Sequence, residues 1–134
     1  MATNTAGNTA RTTAHQMIHY LRKGITFADA GTTVTVGTLP AGAQIIKPIS
    51  GVSVNIAFNG DTTNTLDIGP STDSGTDLWA TDLALGSIAY VALDEAVSMT
   101  ISVDTIVQAA VVSTASASAG SAEIIIAYAL DNDR

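Results

Sequence analysis

The sequence predicts an all-β protein, an antiparallel β-sandwich of jelly-roll-like form that is preceded by an N-terminal arm. From residue 24 onward, apolar and polar residues alternate with the period of two that strands require. Turn signals recur at roughly 8–12-residue spacing, as they do in sandwiches and barrels. The charges are also segregated, because all twelve acidic residues lie after residue 28 while three of the five basic residues and both histidines lie before it.

The charge segregation divides the chain into a basic docking arm, residues 1–28, and a β-sandwich domain, residues 29–134. The arm has a formal charge of +3, and the domain has two basic residues against twelve acidic ones. A chain of 134 residues is expected to form one such domain. Within the arm, residues 1–13 are small and polar, and residues 14–22 (AHQMIHYLR) can form a short helix after a threonine N-cap.

The clearest strand covers residues 51–58, in which alternate side chains point to one side: Val52, Val54, Ile56 and Phe58. Asn59-Gly60 follows at once and predicts a tight hairpin turn with positive φ. Earlier strands are predicted at residues 25–28, 33–37 and 43–46. Later strands are predicted at residues 66–68, 83–85, 88–92, 97–103, 105–112 and 122–130, with residues 69–77 as a loop.

The last predicted strand, residues 122–130, is apolar on both faces. In a two-layer sandwich, one face of an antiparallel strand is normally solvated. The second apolar face therefore predicts a subunit interface formed by Ile125, Ala127 and Ala129.

No catalytic constellation is recognisable in the sequence. The chain has no cysteine, which excludes disulfides, thiolate metal sites and a cysteine nucleophile. A Ser-His-Asp triad would need His15 or His19, which both lie in the arm, and no GxSxG motif occurs. The motifs GxxxxGK, GxGxxG and HExxH are missing as well. We therefore predict no enzyme activity, no catalytic residues and no cofactor.

Two groups of side chains could in principle bind a metal. His15 and His19 lie four residues apart, but the arm has no carboxylate to complete a site. A calcium site or a glycosidase pair could be drawn from the carboxylates Asp61, Asp67, Asp73 and Asp77. Their spacing does not match an EF-hand loop, and the chain has few aromatic residues for a sugar platform. Solvated turn residues are the simpler interpretation, so we predict no metal.

Neither nucleic acid nor a membrane is an expected partner. The acidic domain would repel phosphate, and three cations without interleaved aromatic residues make a weak footprint for nucleic acid. The first 13 residues lack the apolar stretch of a signal peptide, and no run of about 18 apolar residues predicts a membrane span.

Residues 32–69 resemble a segment that is common in small virion proteins of tailed bacteriophages. The matching stretches are VTVGTLPAGA (34–43), V-x-V-x-x-A-F-N-G (52–60), TTNTLDIG (62–69) and, near the end of the chain, AGSAEIIIAYAL (119–130). The resemblance implies a β-sandwich structural protein of the virion: a capsid decoration (cement) protein, a head fibre or a minor tail component. Residues 1–28 lie outside the resemblance.

The resemblance and the basic arm together lead to a functional hypothesis. The chain is expected to be a capsid decoration protein, a homotrimer that binds the major capsid protein on the outer surface of the virion after assembly in the host cytoplasm. The predicted docking residues all belong to the arm: Arg11, His15, Met17, Ile18, His19, Tyr20, Leu21, Arg22 and Lys23.

The alternative hypothesis assigns the same fold to the tail or a fibre, as a connector with a host-glycan-binding role. Trp79 and Tyr90 are the candidate sugar-binding aromatics, although core positions are the simpler interpretation for both.

Overall fold

Nine strands in two antiparallel sheets dominate residues 17–130, the part of the chain that the computed structural model describes. Two short 3-10 turns, Phe27–Asp29 and Lys47–Ile49, lie between strands. The strands are β1 Ile18–Thr26, β2 Thr33–Leu39, β3 Gln44–Ile45, β4 Gly51–Ile56, β5 Asn64–Pro70, β6 Ala80–Ala84, β7 Tyr90–Ala92, β8 Thr105–Ser113 and β9 Ser121–Ala129. Over the same residues, no helix has the length and apolarity that a membrane crossing requires.

The strands pair in a nested order along the chain. The first strand pairs with the last, β1 with β9, and the second pairs with the next to last, β2 with β8. The five-stranded sheet has the order β1-β9-β4-β7, with β3 also paired to β9, and the four-stranded sheet has the order β2-β8-β5-β6. This nested arrangement is that of a jelly roll, so the predicted antiparallel sandwich is confirmed.

One apolar core lies between the two sheets. It is built from alternate residues of each strand, because successive side chains of a strand point to opposite faces. Each fully buried aliphatic side chain contributes roughly 1.5–3 kcal/mol to the free energy of folding. The largest side chains without exposed surface are Leu39, Leu66, Ile68, Leu85, Ile124 and Ile126.

The segment predicted as a short helix forms the start of β1 instead. Residues 14–16 lie outside the described residues, and the rest of the segment from Ile18 onward pairs with β9. Leu21 lies opposite Ile126, on the side of the strand that faces the core. A helix of two turns is marginal in water, whereas the β1 ladder satisfies the backbone polar groups along a whole edge of β9.

The predicted hairpin at Asn59-Gly60 is wrong. β4 ends at Ile56 and β5 begins at Asn64 in the other sheet, so the chain crosses between sheets at this point. The side-chain oxygen of Asn59 accepts hydrogen bonds from the N–H groups of Ser118 (2.8 Å) and Ala119 (3.0 Å). The asparagine therefore joins two distant loops rather than forming a tight turn.

A bulge turns one side chain of the predicted strand 51–58 to the opposite face of the sheet. Val52, Val54 and Phe58 are buried as expected, but Ile56 is 54% exposed. The register of β4 against β9 shifts between Val54 and Ile56. The extra residue of a bulge turns the following side chain to the other face, so Ile56 points away from the core.

The predicted strand 97–103 is only partly formed. Its backbone is hydrogen-bonded to residues 42–45, but a single isolated bridge joins Thr100 to Gln44. Met99 and Ile101 are buried in the core, whereas Val103 is 66% exposed. Val97 is exposed as well, so the alternation correctly predicts only the two central buried side chains of this segment.

Gly51 provides a direct test of the five-stranded sheet. A Cβ atom at Gly51 would lie 2.1 Å from the carbonyl oxygen of Val91 in β7. We expect Gly51→Ala to push β7 away from β4 and to lower the free energy of unfolding by about 1–3 kcal/mol, as overpacking does. Gly86→Ala is the matched control, because a Cβ atom there meets nothing within 4 Å. Urea denaturation measures both variants, and an unchanged midpoint for Gly51→Ala would contradict this packing.

Candidate functional site

The five-stranded sheet turns one face away from the core, and this surface, here called the outer face, carries several exposed apolar side chains. The strand register assigns to it alternate residues of β1, β9, β4 and β7. Its most exposed apolar residues are Ile18 (45% exposed), Tyr20 (54%), Ile56 (54%) and Tyr90 (48%). A sheet face that meets water is usually polar, so exposed apolar residues gathered on one face are typical of a protein contact surface.

The predicted docking residues of β1 lie on two different sides of the strand. Tyr20 and Arg22 belong to the outer face. Leu21 and His19 alternate with them and point the other way. Leu21 packs against the core, and the His19 ring stacks on that of Tyr128 with centroids 5.6 Å apart. Leu21 and His19 therefore make contacts within the chain itself.

The remaining docking candidates lie at or before the start of β1, with one exception. Met17 directly precedes the strand and is 52% exposed, and Ile18 begins it. Lys23 is exposed in the middle of β1. Arg11 and His15 lie outside the described residues.

The three predicted subunit-interface residues of β9 differ in exposure. Ile125 and Ala129 are partly exposed, but Ala127 is fully buried within the chain. The N–H of Ala127 donates a hydrogen bond to the hydroxyl of Ser50 (2.9 Å), and the carbonyl of Ala127 accepts one from the N–H of Ile46 (2.8 Å). The Ala127 prediction is therefore corrected, because the turn between β3 and β4 adjoins this residue and it has no surface for a second subunit.

Two predicted docking residues, Tyr20 and Arg22, and one predicted subunit-interface residue, Ile125, lie side by side on the outer face. Arg22 lies directly opposite Ile125 in the β1–β9 ladder. Tyr20, Arg22 and Ile125 line an open depression of about 160 Å³. Sequence reasoning could not bring them together, because the two strands are about a hundred residues apart and only the register fixes which side chains are neighbours.

An ion pair lies beside this depression. The Nε and Nη2 atoms of Arg22 donate to the two carboxylate oxygens of Glu123, at 2.5 and 2.9 Å. This hydrogen bonding lowers the pKa of the Glu123 carboxyl and raises the pKa of Arg22. A guanidinium has more N–H donors than this pair uses, so Arg22 can bind a second carboxylate from a partner.

The two aromatic residues of the glycan hypothesis lie in different surroundings. Trp79 is 3% exposed and belongs to the core, so its ring has almost no free surface on which a sugar could stack. It lines an open cavity of about 250 Å³ together with hydroxyl side chains such as Thr72 and Ser102. Tyr90 is exposed on the outer face, where its hydroxyl donates to the carbonyl of Pro48 at 3.4 Å.

The carboxylates of the acidic loop serve the local backbone. Asp73 accepts hydrogen bonds from the N–H groups of Gly75, Asp77 and Leu78, and these bonds lower the pKa of its carboxyl. Asp67 accepts one from the N–H of Asp82 at 2.6 Å. Within residues 17–130, no three histidine or carboxylate side chains come together as a metal site would need.

Asp67 differs from the other acidic residues because partial burial raises the pKa of its carboxyl. Three neighbouring carboxylates add to this shift by charge repulsion: Asp77, Asp82 and Asp94. This edge of the four-stranded sheet is therefore strongly negative.

Sequence reasoning missed the outward side of the four-stranded sheet, here called the second outer face. The register assigns to it Thr33, Thr35, Thr38, Thr65, Asp67, Ile106, Gln108, Ala110 and Val112. Ile106 is 43% exposed and Val112 is 39% exposed. The sequence feature that predicts this face is the nearly uniform apolar run TIVQAAVV of residues 105–112. Because only one face of a strand can point to the core, the other apolar residues of this run must point outward.

The Arg22–Glu123 pair predicts a loss of stability on the acid side. Because the folded-state pKa of Glu123 is below its ordinary value of 4.5, its contribution is present above about pH 4.5 and is lost as the pH falls through the folded-state pKa. We expect Glu123→Gln to unfold at a lower urea concentration than the wild type at neutral pH, and the difference to vanish in acid.

Urea unfolding over a pH series measures this difference. Asp61→Asn, the same charge change in a turn, is the control. If the urea midpoints of Glu123→Gln and the wild type still differed below the folded-state pKa of Glu123, the ion pair would not be the cause of the difference.

Comparison with solved structures identifies two phage capsids that contain chains of this fold. One is the cyanophage Pam1 capsid asymmetric unit, with a TM-score of 0.62, 19% sequence identity and coverage of 84% of both chains. The other is the acidic stable capsid structure of Helicobacter pylori bacteriophage KHP30, with a TM-score of 0.64, 14% identity and coverage of 87% of this chain and 90% of that one. The sequence matches no protein-family model and no curated protein. The resemblance to β-sandwich virion proteins is thus confirmed in the fold.

Proposed function

We propose that this protein is a non-enzymatic decoration (cement) protein of a phage capsid. It binds the major capsid protein on the outer surface of the shell as a homotrimer and stabilises the shell. The observation that carries the proposal is the extent of the fold match, since 84% of this chain corresponds to 84% of a chain in the Pam1 capsid. The likeness concerns nearly the whole chain, and both matched structures are phage capsids.

The position of β1 at the edge of the five-stranded sheet supports docking through the N-terminal segment. Residues 1–16 precede Met17, and β1 is the edge strand of the five-stranded sheet. A segment of this length spans up to about 50 Å when extended, which is enough to cross a junction between shell subunits. Arg11 and His15 in this segment, with Met17, Ile18 and Lys23, are the docking residues we propose.

The contacts of β1 reduce the number of predicted docking residues that are available to the capsid shell. Leu21 and His19 are engaged within the chain, and Tyr20 and Arg22 lie beside Ile125. The segment before β1 is thus the best source of contacts with the shell, and apolar contacts from Met17 and Ile18 would supply affinity while the basic residues guide the approach.

Stabilisation of the shell follows from mass action. A protein that binds the assembled shell and not its dissociated subunits adds RT ln(1 + [L]/Kd) of stability at each site. Neither DNA nor a membrane is a partner in this mechanism, because the domain carries an excess of ten negative charges after residue 28.

The alternative, a tail or fibre protein that binds a host glycan, is less well supported. Of its two candidate residues, Trp79 is buried and only Tyr90 offers an exposed aromatic face.

Co-sedimentation with capsid shells that lack the protein tests the proposal. We expect saturable binding of the full chain and a higher temperature of shell disruption. Deletion of residues 2–16 should weaken binding about tenfold or more, a change of about 1.4 kcal/mol per factor of ten. The deletion must stop before Ile18, because removing part of β1 would expose an edge of β9.

Removal of residues 131–134, at the other end of the chain, is the matched control and should bind like the full chain. Circular dichroism of each variant establishes that the sandwich is intact. Failure of the full chain to bind shells at any salt concentration would refute the decoration role and favour the tail or fibre.

A further inference from the structure

Both sheets expose faces that are poor in the long charged side chains that usually cover a solvated sheet. The second outer face contains neither lysine, arginine nor glutamate at the register positions assigned to it. Around Val112 its residues are small, with Ala110 on the same strand and Thr65 directly opposite on β5. The hydroxyl oxygen of Thr65 is buried without a hydrogen-bond partner. Small side chains around Val112 leave room for a second sheet to pack against this face.

The two faces differ in charge. The outer face carries Arg22, with its side chain 64% exposed, which is bonded to Glu123 on the same face but keeps N–H donors that this pair does not use. The second outer face carries Asp67, to which Asp82 is joined by a hydrogen bond. Two copies that met through their second outer faces would bring these carboxylates together, which is unfavourable in an interface. The outer face of one copy against the second outer face of another instead places the unused N–H donors of Arg22 against the carboxylate of Asp67.

The two faces also complement each other in shape. The depression between Tyr20 and Ile125 is open and about 160 Å³ in volume. On the second outer face, Val112 is 39% exposed and has small neighbours, so it is the side chain that can enter the depression. Asp67 lies opposite Ala110, two residues from Val112 on β8, and Arg22 itself lines the depression. The apolar and the charged group are therefore neighbours on both faces.

We propose that copies of this chain associate head to tail, with the outer face of one copy packed on the second outer face of the next. Val112 occupies the depression beside Tyr20 and Ile125, and Arg22 faces Asp67. In an open row of copies joined in this way, one outer face and one second outer face remain uncovered at the two ends. Closure of the row into a ring covers both of them. The ring of three rests on the proposed function, whereas the head-to-tail contact does not.

Two single variants in solution test the contact. Tyr20→Asp damages the outer face alone, and Val112→Lys damages the second outer face alone. Size-exclusion chromatography with light scattering should give the wild type three times the 13.6 kDa chain mass. Each variant should fall to a single chain mass. Val103→Lys, an exposed change away from both faces, is the matched control and should behave as the wild type.

Mixing the two variants distinguishes head-to-tail contact from a symmetric one. The Val112→Lys variant keeps an intact outer face and the Tyr20→Asp variant keeps an intact second outer face, so the mixture should regain association that neither shows alone. A monomeric wild type, a variant that stays assembled, or a mixture that stays monomeric would each overturn the proposal. Thermal unfolding of each variant establishes that it is folded.

Shell binding separates this inference from the proposed function. If head-to-tail contact fails while shells still bind the protein, only the interface is wrong. If the chain assembles as described and shells do not bind it, the decoration role is wrong and the interface stands.

Discussion

The structure depends on the pairing of β9 along both of its edges. β1 covers one edge over nine residue pairs, and β4 and β3 share the other. All strands that pair with β9 come from the first half of the sequence, so β9 can be placed only when those segments lie beside it. The pairing joins Arg22 to Glu123 across 101 residues, and contacts of such separation are costly to form in chain entropy.

The same pairing explains why β9 is apolar on both faces. Ile124 and Ile126 fill the core and have no exposed surface. On the other face, Ala127 is enclosed by the chain itself, and its backbone is bonded to Ser50. Among the apolar residues of that face, Ile125 and Ala129 are partly exposed. The two-sided apolar pattern of β9 is therefore partly a consequence of the β3–β4 turn.

The β1 ladder also determines where the N-terminal segment can act. It fixes Ile18 opposite Ala129 at one end of the sheet edge. The proposed docking by the N-terminal segment and the proposed association through a sheet face would use different surfaces of one small domain. This division resolves the conflict that arises when Tyr20 and Arg22 are assigned to the shell and Ile125 to a subunit contact.

The sandwich could be predicted from the sequence because the period of two survives in almost every strand. The predictions from the sequence that are wrong share one cause: contacts with residues far along the chain outweigh the local sequence preference. Residues 14–22 have a helical apolar pattern, yet Leu21 is needed opposite Ile126. Asn59 has the sequence of a turn, yet it binds the loop at Ser118. The juxtaposition of Tyr20 with Ile125 depends on strand register, which no local pattern contains.

The most direct measurement of the central claim is a cryo-EM reconstruction of capsid shells decorated with the purified protein. We expect density for the sandwich on the outside of the shell, with three copies about each threefold position and the N-terminal segment crossing onto neighbouring capsid subunits. Shells whose outer surface is unchanged, or density confined to a tail or fibre, would contradict it.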